Sequence, residues 1–196
     1  MQSPRPSAPS TPATPPASPL HPGARALERA LIQWREDIRE PSGRVTSGPI
    51  LERYIREGLG WTWIKDYENR AFEWCGAFAA WAWLDGLSAQ VRKKHLASTY
   101  RLREWARGTA REVGGLSAAR PGDIAITGPR KAWGDHITLI ERVELDGSGA
   151  WTIEGNARGE GPAPGPKIEG VIRRFRSAEE IRFIYRPLAE DAERGH

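Results

Sequence analysis

One cysteine is the residue best suited to nucleophilic chemistry in this chain of 196 residues. Cys75 stands at the start of an apolar run that predicts a buried helix. A helix N-terminus presents unpaired amide hydrogens and the positive end of the helix dipole, which stabilise a thiolate and an oxyanion. Taken alone, a single free cysteine favours the simpler interpretation of a small buried hydrophobic residue. The catalytic interpretation therefore depends on a partner histidine.

His136 is the histidine best placed to serve as the general base. It opens a predicted strand directly after a glycine-containing loop, so its imidazole can project into a cleft. The alternative is a histidine at the surface or at the edge of the core. The other histidines are less suited, since His21 lies in the N-terminal tail, His95 lies in a charged stretch and His196 ends the sequence.

Two polar residues on the next predicted strand are candidates for orienting the imidazole. Glu154 and Asn156 are two positions apart, so an extended strand places them on one face. The turn signal at Asp146–Gly149 folds their strand back toward His136. A nucleophile–base pair needs such a third group to fix the tautomer and to steady the imidazolium. Either residue can face the ring, and the alternative is a solvent-facing Glu beside a turn-forming Asn.

The elements that must hold these residues are helices first and strands afterwards, which predicts an α+β fold with an antiparallel sheet. Apolar residues recur at helical spacing and predict helices at 24–40, 49–57, 74–84 and 99–113. After Pro121 the pattern changes to short β-rich runs. They predict strands at 123–127, 136–145, 150–156, 167–175 and 181–185.

The composition narrows the classes of function. A net charge of +4 and a pI near 9.5 fit an arginine-rich surface, or the approach to an anionic polymer such as a cell wall. No basic cluster with interleaved aromatics predicts a nucleic-acid groove. No run reaches the roughly 18 apolar residues of a membrane helix, and the N-terminus has no secretory signal. One cysteine excludes an intramolecular disulfide and a cysteine-rich zinc site.

Four segments of the sequence resemble the successive motifs of CHAP domains, which are cysteine- and histidine-dependent amidohydrolases or peptidases related to NlpC-type hydrolases. The segments are Trp74-Cys75-Gly76-Ala77-Phe78, Arg120-Pro121-Gly122-Asp123-Ile124-Ala125-Ile126, Gly134-Asp135-His136-Ile137-Thr138-Leu139-Ile140 and Ile153-Glu154-Gly155-Asn156. The resemblance runs from about residue 48 to residue 187. It implies a papain-like fold, with the cysteine at a helix N-terminus packed on an antiparallel sheet that carries the histidine.

By this resemblance, Cys75 matches the nucleophile, His136 the general base, Glu154 the acidic orienting residue and Asn156 the polar residue beside it. One departure is Asp135, whose carboxylate directly precedes the histidine and can perturb it or face solvent. The second donor of the oxyanion hole stays open among three residues upstream of the cysteine. These residues are Asp66, Tyr67 and Asn69.

Composition and the resemblance to CHAP domains together predict how the chain is divided into segments. Residues 1–23 are rich in Pro, Ser, Ala and Thr and are expected to form a disordered tail or linker. Residues 24–47 form an N-terminal helix and connection, 48–187 the CHAP-like catalytic domain, and 188–196 a flexible tail. Trp61, Trp63 and Trp133 either line a substrate groove or pack in the core, whereas Trp74, Trp81 and Trp83 are assigned to the core.

The resemblance implies a monomeric hydrolase of peptidoglycan that needs no cofactor or metal. It would cut the muramoyl–alanine amide or a peptide cross-link, after release by phage lysis, virion delivery or a specialised secretion system. As a secreted effector it would need an immunity protein in its producer. Two alternatives stay open, namely a papain-like protease or deamidase acting on proteins, and a wall-binding module without catalysis.

Overall fold

The computed structural model describes residues 21–40, 48, 50–62, 72–128, 135–163, 165 and 167–193. Numbered along the chain, the helices are α1 (Pro22–Arg35), α2 (Ile50–Gly58, a π-helix), α3 (Cys75–Ala82), α4 (Ala89–Val91), α5 (Arg92–Leu96, a π-helix), α6 (Thr99–Ala106), a 3-10 turn (Leu116–Ala118) and α7 (Glu190–Glu193). The strands are β1 (Ile124–Thr127), β2 (His136–Val143), β3 (Gly149–Gly159), β4 (Ile168–Ser177) and β5 (Ile181–Tyr185). This order confirms the predicted α+β class.

The five strands form one antiparallel sheet in the order β4-β3-β2-β1-β5. The predicted turn between β2 and β3 is confirmed: Ser148 N–H donates to Asp146 Oδ1 at 2.9 Å, and Gly147 takes the left-handed φ of 73°. This tight hairpin pairs Leu139 with Ile153. The start of β2 and the middle of β3 are thereby neighbours in the sheet.

Helix α3 lies at the centre of the core, because it is apolar on all sides. Every residue from Gly76 to Ala82 is buried, and the sheet contributes residues such as Leu139 and Ile153 to the same cluster. Trp74, Trp81 and Trp83 are 0, 8 and 2 % exposed, which confirms their assignment to the core. None of the described helices is both long and apolar enough to cross a membrane.

Helix α1 is shorter than the predicted range 24–40 and is shifted toward the N-terminus. It begins earlier because His21 Nδ1 accepts the Gly23 N–H at 3.2 Å and a proline fills the first helical position. It ends earlier because Asp37 takes a left-handed φ of 54°. The chain then pairs with the edge of the sheet, where the Ile38 carbonyl accepts the Val171 N–H at 2.9 Å.

The predicted helix 99–113 is also too long. Helix α6 ends at Ala106, and Arg107 has extended backbone angles of −61° and 131°. The chain turns at Gly108, which takes a φ of 69°. Val113 N–H then donates to the Ile184 carbonyl at 2.9 Å, so pairing with β5 replaces helical hydrogen bonding.

The segment assigned to a flexible tail, 188–196, is ordered through residue 193. Helix α7 docks because the Asp191 carboxylate is fully buried and accepts hydrogen bonds from the Arg111 guanidinium and from Leu188 N–H. The Asp191 carbonyl also accepts the Ser88 N–H at 2.9 Å. The segment predicted as a flexible tail thus contains a short helix with a buried carboxylate, and residues 194–196 lie outside the described part of the chain.

Candidate active site

Cys75 is the first residue of α3, and its side chain is partly exposed. The Phe78 N–H donates to the Trp74 carbonyl at 2.9 Å, which begins the helical ladder. Trp74 occupies the N-cap position but supplies no side-chain hydrogen bond to the first turn. The amide hydrogens of the first helical turn are therefore available to an anion at the sulfur or beside it.

Gly76 allows the N-terminus of α3 to sit tightly against its neighbours. A Cβ at this position would lie 2.0 Å from the Leu96 carbonyl oxygen and 3.2 Å from Ile137 Cδ1. Leu96 ends α5, and Ile137 follows His136 on β2. This close approach brings Cys75 beside the end of the strand that carries the histidine.

The Cys75 thiol and the His136 imidazole interact, and each shifts the pKa of the other. Burial raises the pKa of Cys75, but the hydrogen bond and charge of His136 outweigh it. The backbone amides of Ile137 and Gly76 add to this effect, and the pKa of Cys75 falls below its ordinary value. The sulfur is therefore stabilised as a thiolate.

The other side of the imidazole faces Glu154. His136 Nε2 lies 3.3 Å from Glu154 Oε2, and the contact is an ion pair without the alignment of a hydrogen bond. Because Nε2 faces the carboxylate, Nδ1 is the nitrogen left for Cys75. Burial lowers the pKa of His136, but the contacts with the Cys75 thiol and Glu154 outweigh burial and raise it to about 10.

Glu154 is fully buried and is held in its ionised form by Arg176. Arg176 Nε donates to Oε1 at 2.7 Å and Nη2 to Oε2 at 2.6 Å, and Thr152 Oγ1 donates to Oε1 at 2.8 Å. Burial raises the pKa of Glu154, but His136 and Arg176 outweigh it and lower the pKa to about 2. The site is thus a row of four interacting groups, Cys75, His136, Glu154 and Arg176, whose favoured charges alternate in sign.

The sequence motifs did not indicate Arg176 or its second partner, Glu180. Arg176 Nη1 donates to Glu180 Oε1 at 3.0 Å, so the guanidinium bridges two carboxylates. Glu154 itself indicates that such a partner exists, because a buried carboxylate in a sheet requires a cation or several hydrogen-bond donors. β4 supplies three arginines near the required position.

Asn156 does not lie on the face of Glu154, contrary to the prediction. The register of β3 against β4 shifts between Glu154 and Ala157, and Asn156 takes a left-handed φ of 57°. Its side-chain amide donates to Glu73 Oε2 at 2.5 Å. The described contact of Asn156 therefore ties β3 to the segment that precedes Cys75, and of the two polar residues Glu154 is the one that contacts the imidazole.

Asp135, the departure from the motif, pairs with Arg182 at 2.9 Å. Trp61 is half-buried and packs edge-on against Phe72, with ring centroids 5.8 Å apart. Several other candidates lie outside the described residues, so their roles stay predictions. They are the oxyanion-hole candidates Asp66, Tyr67 and Asn69 and the groove candidates Trp63 and Trp133.

The chemistry that these groups offer is nucleophilic. A stabilised thiolate, an imidazolium and a fixed carboxylate form the set required for covalent attack followed by proton donation. Among the described residues, no three His, Cys, Asp or Glu side chains gather in a group that could hold a metal ion.

The chain matches no family model, and neither a curated protein nor a solved structure is significantly similar to it. The resemblance to CHAP domains therefore rests on the four sequence segments.

Proposed function

We propose that this protein is a papain-like cysteine hydrolase that cleaves amide bonds in peptidoglycan. One observation carries the proposal: the thiol of Cys75, the imidazole of His136 and the carboxylate of Glu154 contact one another in that order. The pKa of the thiol is lowered and the pKa of the imidazole is raised to about 10. Both shifts favour the thiolate–imidazolium form of the pair, which is the reactive state of a cysteine hydrolase.

The reaction begins when the Cys75 thiolate attacks the carbonyl carbon of an amide and forms a carbon–sulfur bond. The carbonyl oxygen becomes an oxyanion, which the amide hydrogens at the start of α3 stabilise. The His136 imidazolium donates its proton to the amide nitrogen as the carbon–nitrogen bond breaks, and an amine leaves. Neutral His136 then takes a proton from water, which attacks the thioester. The acid is released and the thiolate and imidazolium are restored.

Glu154 serves this cycle by keeping a negative charge on the Nε2 side of the ring. The carboxylate stabilises the imidazolium that the acid step requires, and it leaves Nδ1 toward the sulfur. Arg176 holds the carboxylate in place through two hydrogen bonds. A buried charge fixed by several partners does not have to reorganise during the reaction.

The choice of peptidoglycan rests on the resemblance to CHAP domains and is supported by two further features. The net charge of +4 favours approach to an anionic wall. A central helix packed on an antiparallel sheet is compatible with the papain-like fold that the resemblance implies. The bond cut is either the muramoyl–alanine amide or a peptide cross-link.

The test is digestion of purified peptidoglycan with the full chain, followed by mass analysis of the fragments and assay of new amine groups. Wild-type protein should release amines, and Cys75→Ala should release none because only the sulfur is removed. His95→Ala is the matched control for His136→Ala, since His95 stacks on Trp105 and makes no described contact with the three site residues. Full activity of Cys75→Ala would exclude the mechanism, and cleavage of casein without wall cleavage would exclude the substrate.

A further inference from the structure

A cavity of about 230 Å³ opens next to the residue that precedes the catalytic histidine. One wall is formed by Arg103 of α6 and by Arg107, the residue that follows this helix. The opposite wall is formed by the sheet. It includes Asp135, Arg182 and Phe183.

The carboxylates in this cavity are already engaged. Asp135 pairs with Arg182 at 2.9 Å, and Glu112 Oε2 accepts the Gly108 N–H at 2.6 Å. Arg103 and Arg107 are exposed, and within the described part of the chain neither guanidinium has an ion pair or hydrogen bond. The cavity therefore keeps an excess of positive charge.

The spacing of the two arginines makes this excess unfavourable for the protein alone. Arg103 lies in the last turn of α6, and Arg107, the residue after the helix, donates its N–H to the Arg103 carbonyl at 2.9 Å, so two like charges are held close together. The dipole at the helix C-terminus favours basic residues there, but it does not require two of them to line one cavity. An anion between the guanidiniums would remove the repulsion and form charge-assisted hydrogen bonds.

The cavity lies next to the proposed site along the chain, although Cys75, His136 and Glu154 do not line it. Asp135 lines it, and the next residue is His136. Ile126 and Phe183 also line it, and both belong to the core cluster that contains α3. The cavity and the Cys75 helix therefore lie on the same face of the sheet.

We propose that this cavity is a subsite in which Arg103 and Arg107 bind a free carboxylate of the substrate peptide. The inference rests on the proposed function and adds to it the kind of peptide that is preferred, namely one with a carboxylate near the amide that is cut. Wall peptides carry such carboxyl groups on side chains and at chain ends. Planar guanidinium groups match a carboxylate in charge and shape.

The kinetic test compares soluble wall fragments with the same fragments after their carboxylates have been coupled to ammonia as neutral amides. For the wild-type protein, amidation should raise KM at least tenfold and leave kcat unchanged, because the subsite does not touch the reacting atoms. The double variant Arg103→Gln/Arg107→Gln should show the same rise for the free fragments and no further rise for the amidated ones. Arg101→Gln, on the same helix, is the control and should behave as wild type.

A second measurement does not depend on hydrolysis. In full-length Cys75→Ala, the Nε–Hε resonances of Arg103 and Arg107 should shift on titration with glutarate and not with glutaramide. Each resonance is assigned by its loss in the corresponding Gln variant. Inorganic phosphate is titrated in parallel, and tighter binding of phosphate than of glutarate would overturn the assignment to a carboxylate.

The two measurements separate this inference from the proposed function. Wall hydrolysis with a KM that is unchanged in the double variant overturns the subsite and leaves the proposed function standing. Absence of hydrolysis together with glutarate shifts at both arginines refutes the proposed function and supports a carboxylate site. Absence of glutarate shifts overturns the subsite whatever the activity.

Discussion

Arg176 binds Glu154 through two parallel hydrogen bonds, 2.7 Å from Nε to Oε1 and 2.6 Å from Nη2 to Oε2. The side chains are 12 and 0 % exposed, so the pair lies inside the protein. A lone carboxylate at this depth would bind a proton rather than stay charged. The guanidinium therefore maintains the negative charge that His136 faces.

Replacing Arg176 should damage both stability and activity. Arg176→Met leaves the Glu154 carboxylate buried without its strongest partner, and breaking a buried ion pair in this way lowers the free energy of unfolding by about 3–5 kcal/mol. The pKa of Glu154 should rise, because burial is then opposed by fewer contacts. Urea unfolding measures the loss of stability, and the rate of wall hydrolysis measures the loss of activity.

The matched control is Arg174→Met, since Arg174 is an exposed residue two positions earlier on β4. It should change the free energy of unfolding by no more than about 0.5 kcal/mol. Equal effects of the two substitutions would show that the bidentate contact is not formed in solution.

The ionised state of Glu154 should make stability depend on acid. Its pKa is lowered from 4.5 to about 2 in the folded protein. The unfolded state therefore binds a proton first as the pH falls, so this stabilisation is complete above about pH 5 and is lost as the pH falls through 2. The amount is about 3 kcal/mol.

Urea unfolding at several pH values between 6 and 2 measures this loss. Glu154→Gln should be less stable than wild type at pH 6 and should lose less stability on acidification. Glu179→Gln, an exposed neighbour of β4, should keep the wild-type dependence. An acid dependence that is the same in all three proteins would rule out a depressed pKa at Glu154.

The hydrogen bond with His136 should control the reactivity of the cysteine. At the ordinary pKa of 9.0 a thiol is about 1 % ionised at pH 7. In His136→Ala, burial raises the pKa of Cys75 with only the backbone amides of Ile137 and Gly76 to oppose it, so alkylation by iodoacetamide at pH 7 should slow by at least about tenfold. His95→Ala should alkylate at the wild-type rate. A rate that is equal in wild type and His136→Ala would show that the thiolate is not stabilised by the imidazole.

Cys75, His136 and Glu154 could be selected from the sequence as candidates because few residue types perform the chemistry that we propose for them. Arg176 could not, because β4 carries Arg173, Arg174 and Arg176 and only the register against β3 decides which one reaches Glu154. The register of β3 against β4 also shifts next to Gly155, so the side chains of Glu154 and Asn156 do not share a face. Simple alternation of side chains along a strand does not predict this shift. The bulge is a tertiary feature: a Cβ on Gly155 would lie 2.6 Å from the side chains of Phe78 and Trp74.

The lengths of α1 and α6 could not be predicted from the sequence either, because contacts with the sheet decide where these helices end. Apolar spacing continues after α1 and after α6, and so it predicts longer helices than exist. Backbone hydrogen bonds to the sheet replace the helical ones at Ile38 with Val171 and at Val113 with Ile184. Such long-range pairing competes with local helix propensity, and it does not change the spacing of apolar residues from which helices are predicted.

Gly76 should be essential to the packing of the Cys75 helix. Gly76→Ala places a Cβ 2.0 Å from the Leu96 carbonyl oxygen, and backbone must move to relieve the contact. We expect the free energy of unfolding to fall by about 1–3 kcal/mol and hydrolysis to fall with it, because the sulfur shifts relative to His136. Gly114→Ala is the control, since no atom lies within 4 Å of a Cβ there. Wild-type stability and activity of Gly76→Ala would contradict the close approach of α3 to Leu96.

The docking of α7 can be tested at Asp191, whose carboxylate accepts hydrogen bonds from Arg111, from the Tyr185 hydroxyl at 3.3 Å and from Leu188 N–H at 2.9 Å. Asp191→Ala leaves the Arg111 guanidinium, 9 % exposed, without its buried partner. We expect the free energy of unfolding to fall by about 3 kcal/mol, measured in urea. Glu193→Ala, on the same helix and exposed, should stay within about 0.5 kcal/mol of wild type. If the two variants unfold at the same urea concentration, α7 is undocked in solution and the segment after Pro187 behaves as the flexible tail that its composition suggests.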